Sequence, residues 1–186
     1  MVTAVIRDVY GTGQKITIPY SLSDQNFIFA AYVYTDFDAV SAELKIAGFD
    51  ADGLPKAGMF QLIACTFGPA WGDESAAPEF PDNLDGSPNG NSSQLIWSLS
   101  ADLAGVPAGE SLFMTVDAMV LGGTDVGIYK LNLNSILLGD TDFNEISGTA
   151  GTAFEIEIIP EPATMTLGIF GLCYLVAWSR RRLQGL

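Results

Sequence analysis

Residues 14–22, QKITIPYSL, alternate without interruption: Ile16, Ile18, Tyr20 and Leu22 share one face, and Lys15, Thr17, Pro19 and Ser21 share the other. A period of two is that of a half-buried β-strand. Pro19 has no N–H to give to a neighbouring strand, so it belongs at a sheet edge or a bulge. The next run, NFIFAAYVYTD (26–36), is apolar at odd and even positions alike. That pattern predicts a central strand covered on both faces by other layers. Working outward, TAVIRDVY, AELKIAG, MFQLIAC, QLIWSLS, SLFMTVDAMV, GIYKLNLNSI and AFEIEII complete a set of about nine strands punctuated by turn residues. No amphipathic helix stands out between Val2 and Ile159, and a parallel α/β fold needs helical crossovers. The predicted class is all-β, a sandwich of the jelly-roll kind. The polar stretch 72–93 reads as a long surface loop.

Composition narrows the function. The chain has 186 residues with 22 acidic and 8 basic side chains. All the acids precede residue 163, where only Arg7, Lys15, Lys45, Lys56 and Lys130 oppose them, which leaves 22 − 5 = 17 net negative charges. Such a surface repels phosphate backbones, so a nucleic-acid partner is not expected. Histidine is absent, which removes the usual general base near neutral pH and any Ser-His-Asp or Cys-His arrangement. Cys65 and Cys173 are the only thiols, so no disulfide framework stabilises the fold. Cys65, within FQLIACTF, reads as a small core residue.

The C-terminus has a different character. Pro160-Glu161-Pro162 precedes sixteen uncharged residues, Ala163 to Trp178, and then Arg180, Arg181 and Arg182. As a helix this run is about 24 Å long, short for a bilayer core but within reach of local thinning. It shows no polar face at any helical period, which argues against a buried helix of the sandwich. Positive residues beside a span stay cytoplasmic, placing the body outside the cytoplasm. The division expected is therefore a β domain over 1–159 and a signal over 160–182, with the span at 163–178 and the basic cluster at 180–182. The prolines make 160–162 extended and accessible to a protease.

The segment PEPATMTLGIFGLCYLVAWSRRR resembles the PEP-CTERM sorting signal of exported bacterial proteins, a tail also described as an ice-binding-protein C-terminal domain without reference to ice. The resemblance covers about 27 residues. It implies that Pro160, Glu161, Pro162, Arg180, Arg181 and Arg182 form a sorting signal read by an exosortase-type membrane protease. Release or transfer to the cell envelope or exopolysaccharide would follow. Members of that family carry a signal peptide, whereas MVTAVIRDVYGTGQ has neither a basic n-region nor an apolar h-region. Two expectations stand: a leader encoded upstream of Met1, or a tail-anchored protein with a cytosolic body. A second resemblance covers most of 1–160. GTGQKITIPYSLSD (11–24), NFIFAAYVYTDFDAV (26–40) and GIYKLNLNSILLGDTDFNEI (127–146) are similar to the opening, second long strand and late strand pair of cohesin-type domains. It implies non-catalytic protein recognition through one sheet face, or carbohydrate binding as in related sandwiches.

Candidate sites are few. Within GDTDFNEISGTAG, Asp140, Asp142, Asn144 and Glu145 offer the start of a Ca²⁺ loop, but Glu145 stands where glycine should be and Gly151 where glutamate should be. The alternative is a solvated acidic turn. Trp71, beside the polar stretch, is the aromatic proposed to stack on a sugar, while Trp97 reads as core. No catalytic residues are expected: acids are abundant and no pair is singled out, and Ser87 in DGSPNG has no activating histidine. The sequence thus describes an exported, non-enzymatic binding or adhesion protein, sorted by its tail, whose partner is an envelope protein or polysaccharide. A carbohydrate-binding module and a secreted hydrolase are the alternatives.

Overall fold

Eleven strands carry the described chain: β1 (Thr3–Asp8), β2 (Lys15–Pro19), β3 (Gln25–Thr35), β4 (Ala39–Phe49), β5 (Phe60–Phe67), β6 (Ser93–Leu99), β7 (Gly109–Val120), β8 (Gly127–Asp140), β9 (Glu145–Ser147), β10 (Thr149–Ala150) and β11 (Phe154–Ile159). They are seen in a computed structural model that describes residues 1–10, 13–49, 59–72, 93–101 and 105–161. The nine predicted strands are present as β1 to β8 and β11. The two short strands β9 and β10 lie where the sequence suggested only a turn. No helix among the described residues is long and apolar enough to cross a membrane. The expected span 163–178, the basic cluster 180–182, Pro162 and the polar stretch 73–92 lie outside the described residues.

Two sheets face one another. One has the order β10-β1-β3-β7-β5 and the other β2-β11-β8-β4-β6, with β9 paired to β8. Most neighbours are antiparallel, but β1 runs parallel to β10 and β2 runs parallel to β11. The core is built by the inward half of each alternation: Ile6, Phe29, Val33, Phe60, Leu62, Phe113 and Val116 from the first sheet meet Leu44, Ile46, Leu131, Leu138, Phe154 and Ile156 from the second. Aromatic edges lock the layers. Phe29 lies against Phe154 across the sandwich at 6.2 Å, and Phe60 meets Tyr129 edge-on at 6.1 Å.

The two stretches that predicted the fold behave differently. β2 is an edge strand, as Pro19 requires, and its alternation holds for Ile16, Ile18 and Tyr20. Leu22 departs from it. The strand ends at Pro19, Leu22 falls in the following turn, and its side chain is 82% exposed. β3 is the middle strand of its sheet, as expected. Its outward side is only partly covered, however: Ala30 is buried, but Ile28 and Tyr34 are exposed and Tyr32 is half-buried. The both-face apolar pattern therefore does not mean a third layer among the described residues.

Candidate recognition face

The outward side of the β1-β3-β7-β5 sheet is the surface in question. Register sets which residues share it. Val5 stands opposite Tyr32 and Thr3 opposite Tyr34 on one flank of β3. Leu112 stands opposite Tyr32, Glu110 opposite Tyr34, and Asp117 opposite Ile28 on the other. Two bulges shape the face. β7 carries Phe113 as an extra residue against β3, so Phe113 and Met114 are both buried while Leu112 keeps the outward side. At the sheet edge, β5 carries Ile63 as an extra residue between Leu62 and Ala64, which turns Ile63 outward at 48% exposure.

One charged clamp crosses this face. The Arg7 guanidinium donates from both terminal nitrogens to the Glu110 carboxylate, Nη1 to Oε1 at 2.9 Å and Nη2 to Oε2 at 2.8 Å. It also lies over the Tyr32 ring, 5.0 Å from its centroid. The hydrogen bond from Arg7 holds the Glu110 carboxyl below the usual carboxylate range, against the opposing effect of burial. Beside the clamp, Met1, Thr3, Val5, Tyr32 and Tyr34 border a depression of about 280 Å³. The outer side of the other sheet differs in chemistry. Lys15, Thr17, Glu43, Lys45, Lys130, Glu155 and Glu157 lie on it, and Lys15 pairs with Glu157 at 2.9 Å. Ile128 and Leu99 are exposed on the same sheet. It also contains a notch of about 160 Å³ bordered by Ser41, Glu43, Ser98 and Glu145, smaller than the roughly 300–1,000 Å³ of a usual ligand pocket.

Trp71 does not serve as a ligand platform. Its side chain has 0% exposure, packs edge-on against Phe113 at 5.4 Å, and donates Nε1–H to Ser111 Oγ at 2.9 Å. The expectation that it stacks on a sugar is corrected accordingly: being next to a polar stretch did not keep an indole out of a core that could also satisfy its N–H. Trp97 lies in β6, opposite Glu43 of β4.

The acidic segment forms a turn. Asp140 Oδ1 accepts backbone N–H groups from Asp142 and Asn144, each at 2.9 Å, and the Asn144 amide reaches Oδ2 at 3.0 Å. These donors, the Asn144 side chain first, lower the Asp140 pKa. Asp140, Asp142, Asn144 and Glu145 are close in the turn, yet no group of three acidic or sulfur ligands able to hold a metal forms among the described residues. The four residues lie in a hydrogen-bonded turn between β8 and β9. Cys65 is buried as expected, and burial pushes its thiol up to about 12. Of the sorting-signal residues, Pro160 and Glu161 are described and exposed at the end of β11.

Which residues lie on this exposed face was missed in the sequence although the signal was present. Ile28, Tyr32 and Tyr34 supplied the second apolar face of the 26–36 run, and that face was assigned to an inner layer. Arg7 and Glu110 lie 103 residues apart, and nothing in the chain links them before folding.

No family model and no curated protein sequence matches the chain. Solved structures do. A chain of the Coh-OlpA-Doc918 complex, a type I cohesin–dockerin complex from Clostridium thermocellum, aligns with a TM-score of 0.59 at 16% identity, covering 86% of this chain and 99% of that one. A chain of the Coh-OlpC-Doc435 complex from the same organism gives 0.57 at 8% identity, over 87% and 95%. The solution structure of CaCohA2 from Clostridium acetobutylicum gives 0.56 at 10% identity, over 85% and 90%. At these identities the likeness is one of fold, and the described sandwich is cohesin-like.

Proposed function

We propose that this chain is a non-catalytic recognition module that binds a protein partner through the outward face of the β1-β3-β7-β5 sheet. The observation that carries the reading is the clustering of exposed Ile28, Tyr34 and Ile63 with the Arg7–Glu110 clamp on one sheet face, where the outer side of the other sheet carries charged side chains, including the Lys15–Glu157 pair, with Ile128 and Leu99 exposed among them. Exposed apolar and aromatic groups on a rigid strand array are the anchors a protein interface uses. The cohesin-like fold supports the same class, since two of the similar chains come from cohesin–dockerin complexes. In this reading the tail sorts the module: residues 160–182 act as a PEP-CTERM signal, span the inner membrane with Arg180–Arg182 in the cytoplasm, and present the domain outside until an exosortase-type protease acts near Glu161. The work of the module is adhesive or structural, in the envelope or an exopolysaccharide matrix.

The test is capture from an envelope extract of the producing bacterium on the immobilised chain. Ile28→Asp with Tyr34→Ala should abolish retention of the partner, while Lys45→Glu on the other sheet should leave it intact. Equal losses in the two variants would overturn the assignment to this face. Replacing Pro160 and Pro162 by alanine should block tail processing in the presence of the protease, read as persistence of the full-length band.

Carbohydrate binding is the second reading, favoured by Tyr32 and Tyr34 alternating onto one face. Arg7 already covers Tyr32, which leaves Tyr34 as the freer ring. Retention of a polysaccharide, lost in Tyr34→Ala, would select it.

A further inference from the structure

We propose that the end of the sandwich formed by residues 20–24 and 121–126 is a lipid-contact surface, which seats the domain directly on the bilayer. The inference rests on the reading of 163–178 as a membrane span. The chain leaves the sandwich at this end: Ile159 lies opposite Pro19 in the β2–β11 pair, and Tyr20 donates its N–H to the Ile159 carbonyl at 2.6 Å. Only residues 160–162 separate Ile159 from Ala163. Four extended Cα steps reach at most about 14 Å, so this end cannot stand further than that from the start of the apolar run. The loops beside the exit are therefore held near headgroup level.

Those loops project apolar side chains. Leu22 is 82% exposed and Val126 51%, with Ile128 exposed just beyond at the foot of β8. What distinguishes Leu22 is its place beside the chain's exit from the sandwich, in a loop tied to its neighbour by hydrogen bonds. Gly123 donates N–H to the Ser21 carbonyl at 2.8 Å, and Gly122 donates N–H to Asp24 Oδ1 at 2.8 Å. Gly123 sits at φ 81°, in the left-handed region, and Thr124 caps the loop through Oγ1 to the Leu121 carbonyl at 2.6 Å. Gly122 approaches the Leu22 carbonyl so closely that a Cβ would collide with it. The two loops are hydrogen-bonded into one tip. Asp24, Asp125 and Glu161 are exposed around it. They favour a zwitterionic surface over an anionic one, whose negative potential would repel them.

The experiment uses the full chain in phosphatidylcholine vesicles, with Cys173→Ser and a single environment-sensitive maleimide dye at Leu22→Cys, Val126→Cys or Phe143→Cys. Cys65 is buried and its thiol resists ionisation, so labelling falls on the introduced site. Phe143 lies in the turn after β8, whose other end leads from the Val126 loop, and serves as the distal control. Floated vesicles should show blue-shifted emission at 22 and 126. Quenching there by a headgroup-proximal nitroxide lipid should be at least about twofold stronger than at 143, as for side chains sitting at the lipid interface. Replacing half the lipid by phosphatidylglycerol should reduce the difference. If the protein floats and all three sites give the same emission and quenching, the lipid-contact surface is wrong while the span stands. If the chain does not float at all, the span reading falls and the contact surface with it.

Discussion

Trp71 and Phe143 stand at opposite extremes of exposure, and each makes a measurable claim at the scale of one residue. Trp71 fills the space beside Phe113 and satisfies its N–H on Ser111. Trp71→Ala should lower the unfolding free energy by about 3–5 kcal/mol, read from denaturant midpoints, because the cavity and the lost hydrogen bond to Ser111 add. Phe143 is a non-glycine residue at φ 61°, and its ring is 78% exposed. An L-residue there costs on the order of 1 kcal/mol, whereas asparagine tolerates the conformation. Phe143→Asn is expected to raise the midpoint of thermal unfolding rather than lower it. Glu110 adds a pH dependence. Its folded pKa is depressed by Arg7, so its contribution is present above the unfolded value and is lost as pH falls through the folded one. The pair is partly exposed, and solvent screening limits it to at most about 1 kcal/mol. Glu110→Gln should therefore be less stable than the parent at pH 7, with the gap closing as the pH falls below the ordinary carboxylate range, followed by urea titration across that range.

Between elements, close backbone approach decides what is tolerated. Gly68 follows β5 and donates its N–H to the Phe113 carbonyl at 2.8 Å, and a Cβ there would run into the Leu112 backbone. Because the obstacle is main chain, nothing can rotate away. Gly68→Ala should destabilise by about 1–3 kcal/mol, and it should disturb Leu112 on the recognition face, so partner retention falls with it. The Ile63 bulge in β5 has a related role at the edge: an irregular edge strand is a poor template for pairing with another chain. The edge position of β2 was legible from Pro19, since a residue without N–H cannot sit inside a ladder. The bulges were not legible, because an extra residue in one strand is visible only against its partner.

At the scale of the whole molecule, the chain closes on itself through parts far apart in sequence. β2 and β11 pair in parallel, and Thr17 and Glu157 touch across 140 residues. Contacts of that separation form late, after a large loss of chain entropy. Refolding from denaturant should accordingly take milliseconds to seconds, and Ile156→Ala, which hollows the closing strand, should cost about 2–5 kcal/mol. A microsecond folding phase carrying the full amplitude would contradict this picture.

Period-two alternation, turn residues and the absence of an amphipathic helix were enough to determine an all-β sandwich of about nine strands, because strand periodicity is a local property of the chain. The acidic body, the missing histidine and the apolar tail with its arginines were equally local, and they set the exclusions and the expected address. Tertiary structure alone decided which apolar face of 26–36 went inward, that Trp71 was core, that Asp140 turned its oxygens on its own loop, and that Arg7 met Glu110. Each of those outcomes depends on what lies opposite in space, and burial, register and pairing between residues a hundred positions apart exist only once the two sheets have met.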